Sequence, residues 1–170
     1  GPSISSNAME ALRARIAGLT DGDCLVLAGS IPKGVSADIY RELIQLTAHK
    51  EVSVVVDATG AVLRQILPLR PFLIKPNHHE LGELFGVELK ERAEVIPYAR
   101  MLQEEGARNV LVSLAGKGAV LVTEDGQVLE TDAPKGQYVN GVGAGDSVVA
   151  GFLAGWQQQK NYRHAFRLAV

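Results

Sequence analysis

A mostly parallel β-sheet covered by helices on both faces is the α/β fold class that this sequence predicts, and two features predict it. Short runs that are apolar throughout, as in strands buried on both sides, recur along the chain. Between them lie longer stretches with helical spacing of apolar residues, the alternation that builds βαβ units. In such sheets ligands bind beyond the carboxyl ends of the strands.

The elements follow in order. Ser5, Ser6 or Asn7 can cap a helix over 5–19, with Met9, Leu12, Ile16 and Leu19 on one apolar face. Cys24-Leu25-Val26-Leu27-Ala28 reads as a buried strand, broken by Gly29-Ser30-Ile31-Pro32-Lys33-Gly34. Ser36 or Asp38 then starts a helix to about His49. A second strand over 52–56 ends in Asp57, a short helix follows over 62–67, and Phe72-Leu73-Ile74 is the next strand. Helices are expected over 78–85 and 92–105, stopped by Gly86 and Gly106. After a strand over 110–114, residues 119–123 and 128–131 form a hairpin through Glu124-Asp125-Gly126. Tyr138-Val139 lead into a glycine loop and its helix, and a last helix starts near Tyr162. The polar loops at the expected ligand edge are 29–34, 57–60, 75–80, 113–118 and 140–146.

Composition sets the bounds. A chain of 170 residues with 46% apolar content can form one domain or a large part of one. A formal charge of -2 supplies no field for nucleic acid. Cys24 is the single cysteine, so no internal disulfide can form. No apolar run approaches the length of a membrane span, and the first 20 residues lack a signal-peptide layout. The expectation is a cytoplasmic protein with no nucleic-acid or membrane partner.

The stretch over 140–155, N-G-V-G-A-G-D-S-V-V-A-G-F-L-A-G, is the leading site candidate. Gly141, Gly143 and Gly145 allow a sharp turn and close approach to a ligand, and a buried helix follows directly. Unpaired amides and the positive dipole end suit an anion there. Asp146 among those amides is either a helix cap or a base that takes a proton, and spacing leaves both open. No Gly-Lys-Ser/Thr follows, which excludes a P-loop, and Ser147 stands where a dinucleotide fingerprint needs its last glycine.

Lys75-Pro76-Asn77-His78-His79-Glu80-Leu81 is the second candidate. Pro76 keeps Lys75 extended at a strand end. Asn77 and Glu80 share a helix face, though Asn-x-x-Glu is equally a capping box. His78 and His79, being adjacent, should splay apart as solvated side chains rather than bind a metal together. The third is Ser113-Leu114-Ala115-Gly116-Lys117-Gly118-Ala119, a turn between strands whose glycines would also let a nucleotide lie on bare backbone.

Together these residues resemble the ribokinase/PfkB family of carbohydrate kinases, and its sugar-phosphate branch in particular. Asn140 to Asp146 matches that family's (D/N)-T-x-G-A-G-D, and Lys75 to Leu81 matches the branch's K-P-N-x-x-E-L in full. Ala28 to Gly34 resembles its S-G-S-L-P-x-G, and Ser113 to Ala119 its S-L-G-x-x-G-A.

The resemblance implies a ribokinase-like three-layer sandwich and ATP-dependent phosphorylation of a sugar phosphate. It implies Asp146 as the base, and the amides of Gly143, Ala144 and Gly145 as the anion hole for the transferring phosphoryl group. Asn77 and Glu80 would organise Mg²⁺ through water, and Lys75 would contact the nucleotide phosphates. Ser113, Gly116 and Gly118 would line the nucleotide site, with Gly29 and Ser30 near the bound sugar phosphate. Gly141 in place of Thr or Ser, and Ala115 in place of a glycine, put nucleotide affinity in question. Asn140 supports the sugar-phosphate branch, and the likeness of Pro134-Lys135-Gly136 within that branch favours fructose 1-phosphate as the acceptor, with tagatose 6-phosphate as the alternative. A non-catalytic nucleotide- or sugar-binding regulator on the same fold is the alternative of another class. Family members are much longer, so 1–170 is expected to be the central and C-terminal part of one kinase domain. The lid, through which the intact protein would form a homodimer, and the N-terminal part of the sugar site are expected outside it. The piece alone is expected to be inactive.

Overall fold

The computed structural model describes residues 4–135 and 143–170. The expectations on Tyr138, Val139, Asn140 and Gly141 lie outside the described residues.

Among the described residues one sheet of six strands forms in the order β1 (Cys24–Ala28), β2 (Ser53–Asp57), β3 (Leu73–Ile74), β4 (Asn109–Ser113), β5 (Ala119–Val122) and β6 (Val128–Thr131). The first four are parallel, and β4–β5 and β5–β6 are antiparallel. The register pairs Ala28 with Asp57, Val56 with Ile74 and Ile74 with Val110, so the strands end along one edge. Gly29, Asp57, Lys75 and Ser113 therefore leave the sheet side by side, where the sequence places its polar loops.

The helices are α1 (Ser6–Ala17), α2 (Ile39–Gln45), α3 (Gly60–Ile66), α4 (His78–Phe85), α5 (Arg92–Glu104), α6 (Ala144–Gln159) and α7 (Tyr162–Ala169). Alternation along the strands sorts them into layers. Val54 and Val56 point into a core shared with α1 to α5, and Val55 points into a second core with Phe152 of α6 and Phe166 of α7. This is the three-layer sandwich that the sequence predicts.

Helix α2 starts after Asp38, one of the two expected starts, and ends at Gln45, short of the expected His49. Leu12, expected on the apolar face of α1, is exposed. The strand β1 is buried on one face only: Leu25 and Leu27 pack inward, while Val26 on the α6–α7 side is 43% exposed. An all-apolar run thus reports the capacity for two-sided burial; the second layer has to reach it.

The α6–α7 pair packs closely because Gly151 and Gly155 present bare backbone. A Cβ at Gly151 would stand 2.2 Å from the carbonyl oxygen of Leu168, and one at Gly155 would stand 2.6 Å from the Cα of Ala165. At the end of the sheet remote from the polar loops, Arg108 donates two hydrogen bonds to Glu124, at 2.6 and 2.9 Å. The Tyr162 hydroxyl donates to the same carboxylate at 2.6 Å, tying α7 to the β5–β6 turn. Burial, and then the bond to Glu124, raise the Tyr162 hydroxyl well above the usual tyrosine range, so it remains a donor.

The bonds from Arg108 hold Glu124 below the usual carboxylate range. Its contribution to stability is therefore complete above the unfolded-state value of about 4.3 and is lost as pH falls through its lowered folded value. Discounted for the exposure of the pair, Glu124→Gln should cost about 1 kcal/mol at pH 7, a loss of about 2–4 °C in Tm. The gap from the parent should close in acid, as followed by thermal melts from pH 7 downward.

Candidate active site

Helix α6 starts at Gly143, whose φ of 78° lies in the left-handed region that glycine adopts without cost. The first intrahelical bond runs from the Ser147 N–H to the Gly143 carbonyl at 2.9 Å. The N–H groups of Ala144, Gly145 and Asp146 consequently have no acceptor within the helix and stand at its positive dipole end. Asp146 is exposed in that first turn, and the Ser147 hydroxyl donates to the Gly143 carbonyl at 2.9 Å. An anion held by these amides would lie within one helical turn of a carboxylate.

Lys75 approaches the same turn from the sheet. It directly follows β3, and its ammonium lies 3.2 Å from Oδ2 of Asp57, with the lysine side chain 6% exposed and the aspartate 19%. Burial of an ammonium requires such a partner. A Cβ at Gly145 would stand 3.1 Å from Lys75 Nζ and 3.6 Å from the Asp57 carboxylate, so the ion pair rests against the bare backbone of that glycine. Lys75 places its charge beneath the amides of α6.

Asn77 and Glu80 form the capping box. Asn77 Oδ1 accepts from the Glu80 N–H at 2.9 Å, and Glu80 Oε2 accepts from the Asn77 N–H at 2.8 Å. The box engages one carboxylate oxygen and leaves Oε1 outside it, so a structural role and a role toward a hydrated cation are compatible. Among the described residues no group of three His, Cys, Asp or Glu side chains is placed to cage a metal. Mg²⁺ retains several waters and binds through few carboxylates alongside phosphates, so this donor set suits it.

The histidines depart from expectation. His78 and His79 lie against each other, ring centroids 3.9 Å apart and planes tilted by 38°, instead of splaying. Helical side chains lean toward the N-terminus. That carries His78 toward the end of β4, where its Nδ1 lies 3.4 Å from the Ser113 carbonyl oxygen.

A cleft of about 490 Å³ opens between these elements, lined by Asn77, Ser113, Gly118, Ala144, Gly145 and Val148 among others. Ala115 also lines it, at a φ of 49°. This is the position where the resemblance expects glycine, and a side chain there costs roughly 1–2 kcal/mol. Gly118 lines the cleft as expected of a residue there and carries a packing requirement as well: a Cβ would meet the Thr131 carbonyl oxygen at 1.9 Å, so the turn packs onto the end of β6. Gly116 lies in the same turn but does not line the cleft. A larger hollow of about 780 Å³ lies at the opposite end of the sheet, lined by residues such as Arg100, Glu104 and Glu124, and holds none of the motif residues.

Gly29, at a φ of 88°, turns the chain after β1, and its N–H donates to the Asp57 carbonyl at 3.2 Å. Ser30 next to it is exposed. The loop after β1 thus bonds to Asp57, and the Asp57–Lys75 pair in turn contacts the first turn of α6.

The sequence model of the pfkB family carbohydrate kinases matches residues 3–170. The chain belongs to this family. It is 46% identical over 170 residues to a 1-phosphofructokinase of Bacillus subtilis, a match covering 100% of this chain and 56% of the relative. It is 36% identical over 151 residues to a D-tagatose-1-phosphate kinase of Klebsiella oxytoca, covering 89% of this chain and 49% of the relative. Among solved structures, phosphofructokinase-2 of Escherichia coli in complex with substrates and products superposes with a TM-score of 0.90 at 27% identity, covering 99% of this chain and 55% of that one. The chain spans about half the length of the curated relatives it matches.

Within this pfkB-family site two residues stand out that motif reading passes over. Asp57 is visible in the sequence as the polar end of an apolar strand, but nothing local marks it as the partner of Lys75. Tyr40 sits inside a helix pattern and carries no local signal for its hydroxyl bonds to the Ala28 and Gly29 carbonyls.

Proposed function

We propose that the full-length polypeptide carrying this chain is an ATP-dependent kinase that phosphorylates fructose 1-phosphate to fructose 1,6-bisphosphate. The observation that carries the proposal is the glycine-capped start of α6, with an exposed Asp146 in its first turn and the Lys75 ammonium directly behind it. ATP with Mg²⁺ would supply the phosphoryl group and neutralise charge on the phosphates. Asp146 takes the proton from the acceptor hydroxyl, whose oxygen bonds to the γ-phosphorus as the bond to the ADP oxygen breaks. The amides of Gly143, Ala144 and Gly145 face the charge on the equatorial oxygens, and Lys75, expected to contact the nucleotide phosphates directly but buried against Asp57 and Gly145, would add to that field through the backbone it touches. Positioning and charge neutralisation of this kind carry most of phosphoryl-transfer catalysis.

Asn77 and Glu80 would hold the cation through its waters, while Ser113 and Gly118 form the wall of the nucleotide cleft and Gly116 its outer turn. Gly29 and Ser30 would face the sugar phosphate. The relatives' greater length and the exposed outer face of β1 support a larger domain, with the lid and the rest of the sugar site outside this chain. A homodimer through that lid and a cytoplasmic location belong to the same proposal. Among the described residues no helix is long and apolar enough to cross a membrane.

Likeness to a D-tagatose-1-phosphate kinase supports a second reading, a tagatose phosphate as the acceptor. The test is ADP release from Mg-ATP by the full-length polypeptide with fructose 1-phosphate, tagatose 1-phosphate, tagatose 6-phosphate and fructose 6-phosphate. Release fastest with fructose 1-phosphate is the expected result. A preference for a tagatose phosphate replaces the substrate, and binding of ATP and sugar phosphate with no ADP formed from any acceptor overturns catalysis in favour of a regulator.

A further inference from the structure

We propose that Tyr40 is a positioning residue for the acceptor, acting through the turn at Gly29 and Ser30. The inference rests on the reading of that turn as the sugar-phosphate side of the site.

Tyr40 lies on α2, its ring packed in the core among the residues beneath the sheet. Its hydroxyl reaches the carbonyl oxygens of Ala28 at 2.9 Å and Gly29 at 3.1 Å, a donor shared between the last residue of β1 and the first of the turn. A phenylalanine would fill the same space without the requirement that a buried hydroxyl find a partner. The bond therefore adds placement rather than packing. Burial, with the Asp57 carboxylate as a smaller cause, raises the Tyr40 hydroxyl above its usual range and keeps the proton on it.

The turn is gripped from a second direction. Gly29, in the left-handed region, donates its N–H to the Asp57 carbonyl, and the side chain of that same Asp57 holds Lys75 against Gly145. One residue thus joins the turn to the first turn of α6, and Tyr40 sets where the turn lies relative to that anchor. Ser30 follows immediately. A displacement of about 1 Å between acceptor and phosphoryl group can cost on the order of 10²-fold in rate, so a single bond at the base of this turn is well placed to govern acceptor geometry.

The test is Tyr40→Phe in the full-length polypeptide, with steady-state kinetics varied separately in the sugar phosphate and in ATP. The expected result is a rise in KM for the sugar phosphate of about two- to tenfold, the value of one hydrogen bond. KM for ATP should stay within about twofold, since the nucleotide cleft does not touch the turn. Hydrogen–deuterium exchange should quicken over 28–34 and not in α6. An unchanged acceptor KM overturns the proposal, as does an equal shift in both KM values, which is the mark of a general structural defect. A parent protein that turns over no acceptor removes the kinase reading and the acceptor role with it, whatever the variant does. Unchanged exchange over 28–34 then also removes the turn-holding role.

Discussion

Replacing Asp146 by Asn should lower turnover of the full-length polypeptide by about 10²- to 10⁴-fold, the range a positioned base supplies. The side chain is exposed in the first turn of α6, so the fold loses little beyond its favourable interaction with the helix dipole, about 0.3–1 kcal/mol. Nucleotide binding should hold or tighten, because the neutral amide no longer repels phosphates bound at the same helix start. The measurement is kcat and the KM for ATP side by side with a thermal melt. Near-normal turnover would remove Asp146 from the chemistry and return it to the role of a helix-start residue.

The second large effect is expected at the buried ion pair. Asp57→Ala leaves the Lys75 ammonium stranded at 6% exposure with Gly145 against it, and should cost about 3–5 kcal/mol. Lys75→Met leaves behind an aspartate that is 19% exposed and open to water, so its stability cost should be clearly smaller. Its turnover should still fall, because the field beneath the α6 amides is lost. A double variant should recover part of the Asp57→Ala penalty, as pairs in contact are not additive. Denaturant unfolding of the four proteins checks this. Costs below about 1 kcal/mol for both single variants would show that the pair is hydrated like a surface bridge and holds nothing in place.

The sequence by itself determined the order of strands and helices, the layered α/β class and the edge on which the chemistry gathers. These properties are local. Apolar runs, helical spacing and glycine stops each act over a few residues, and the parallel register then brings the strand ends together. Local too was the cap at Asn77 and Glu80, whose spacing alone allows the box that forms.

The tertiary structure decided the rest. It assigned Asp57 to Lys75 and gave the Tyr40 hydroxyl its place at the turn. It added to Gly118 a packing requirement against the end of β6, and it left the outer face of β1 exposed. Each of these depends on which residues the register sets side by side and on how far a helical layer extends. Partners distant in sequence meet only when the sheet is assembled, and the cost of burying a charge or a hydroxyl is what selects them.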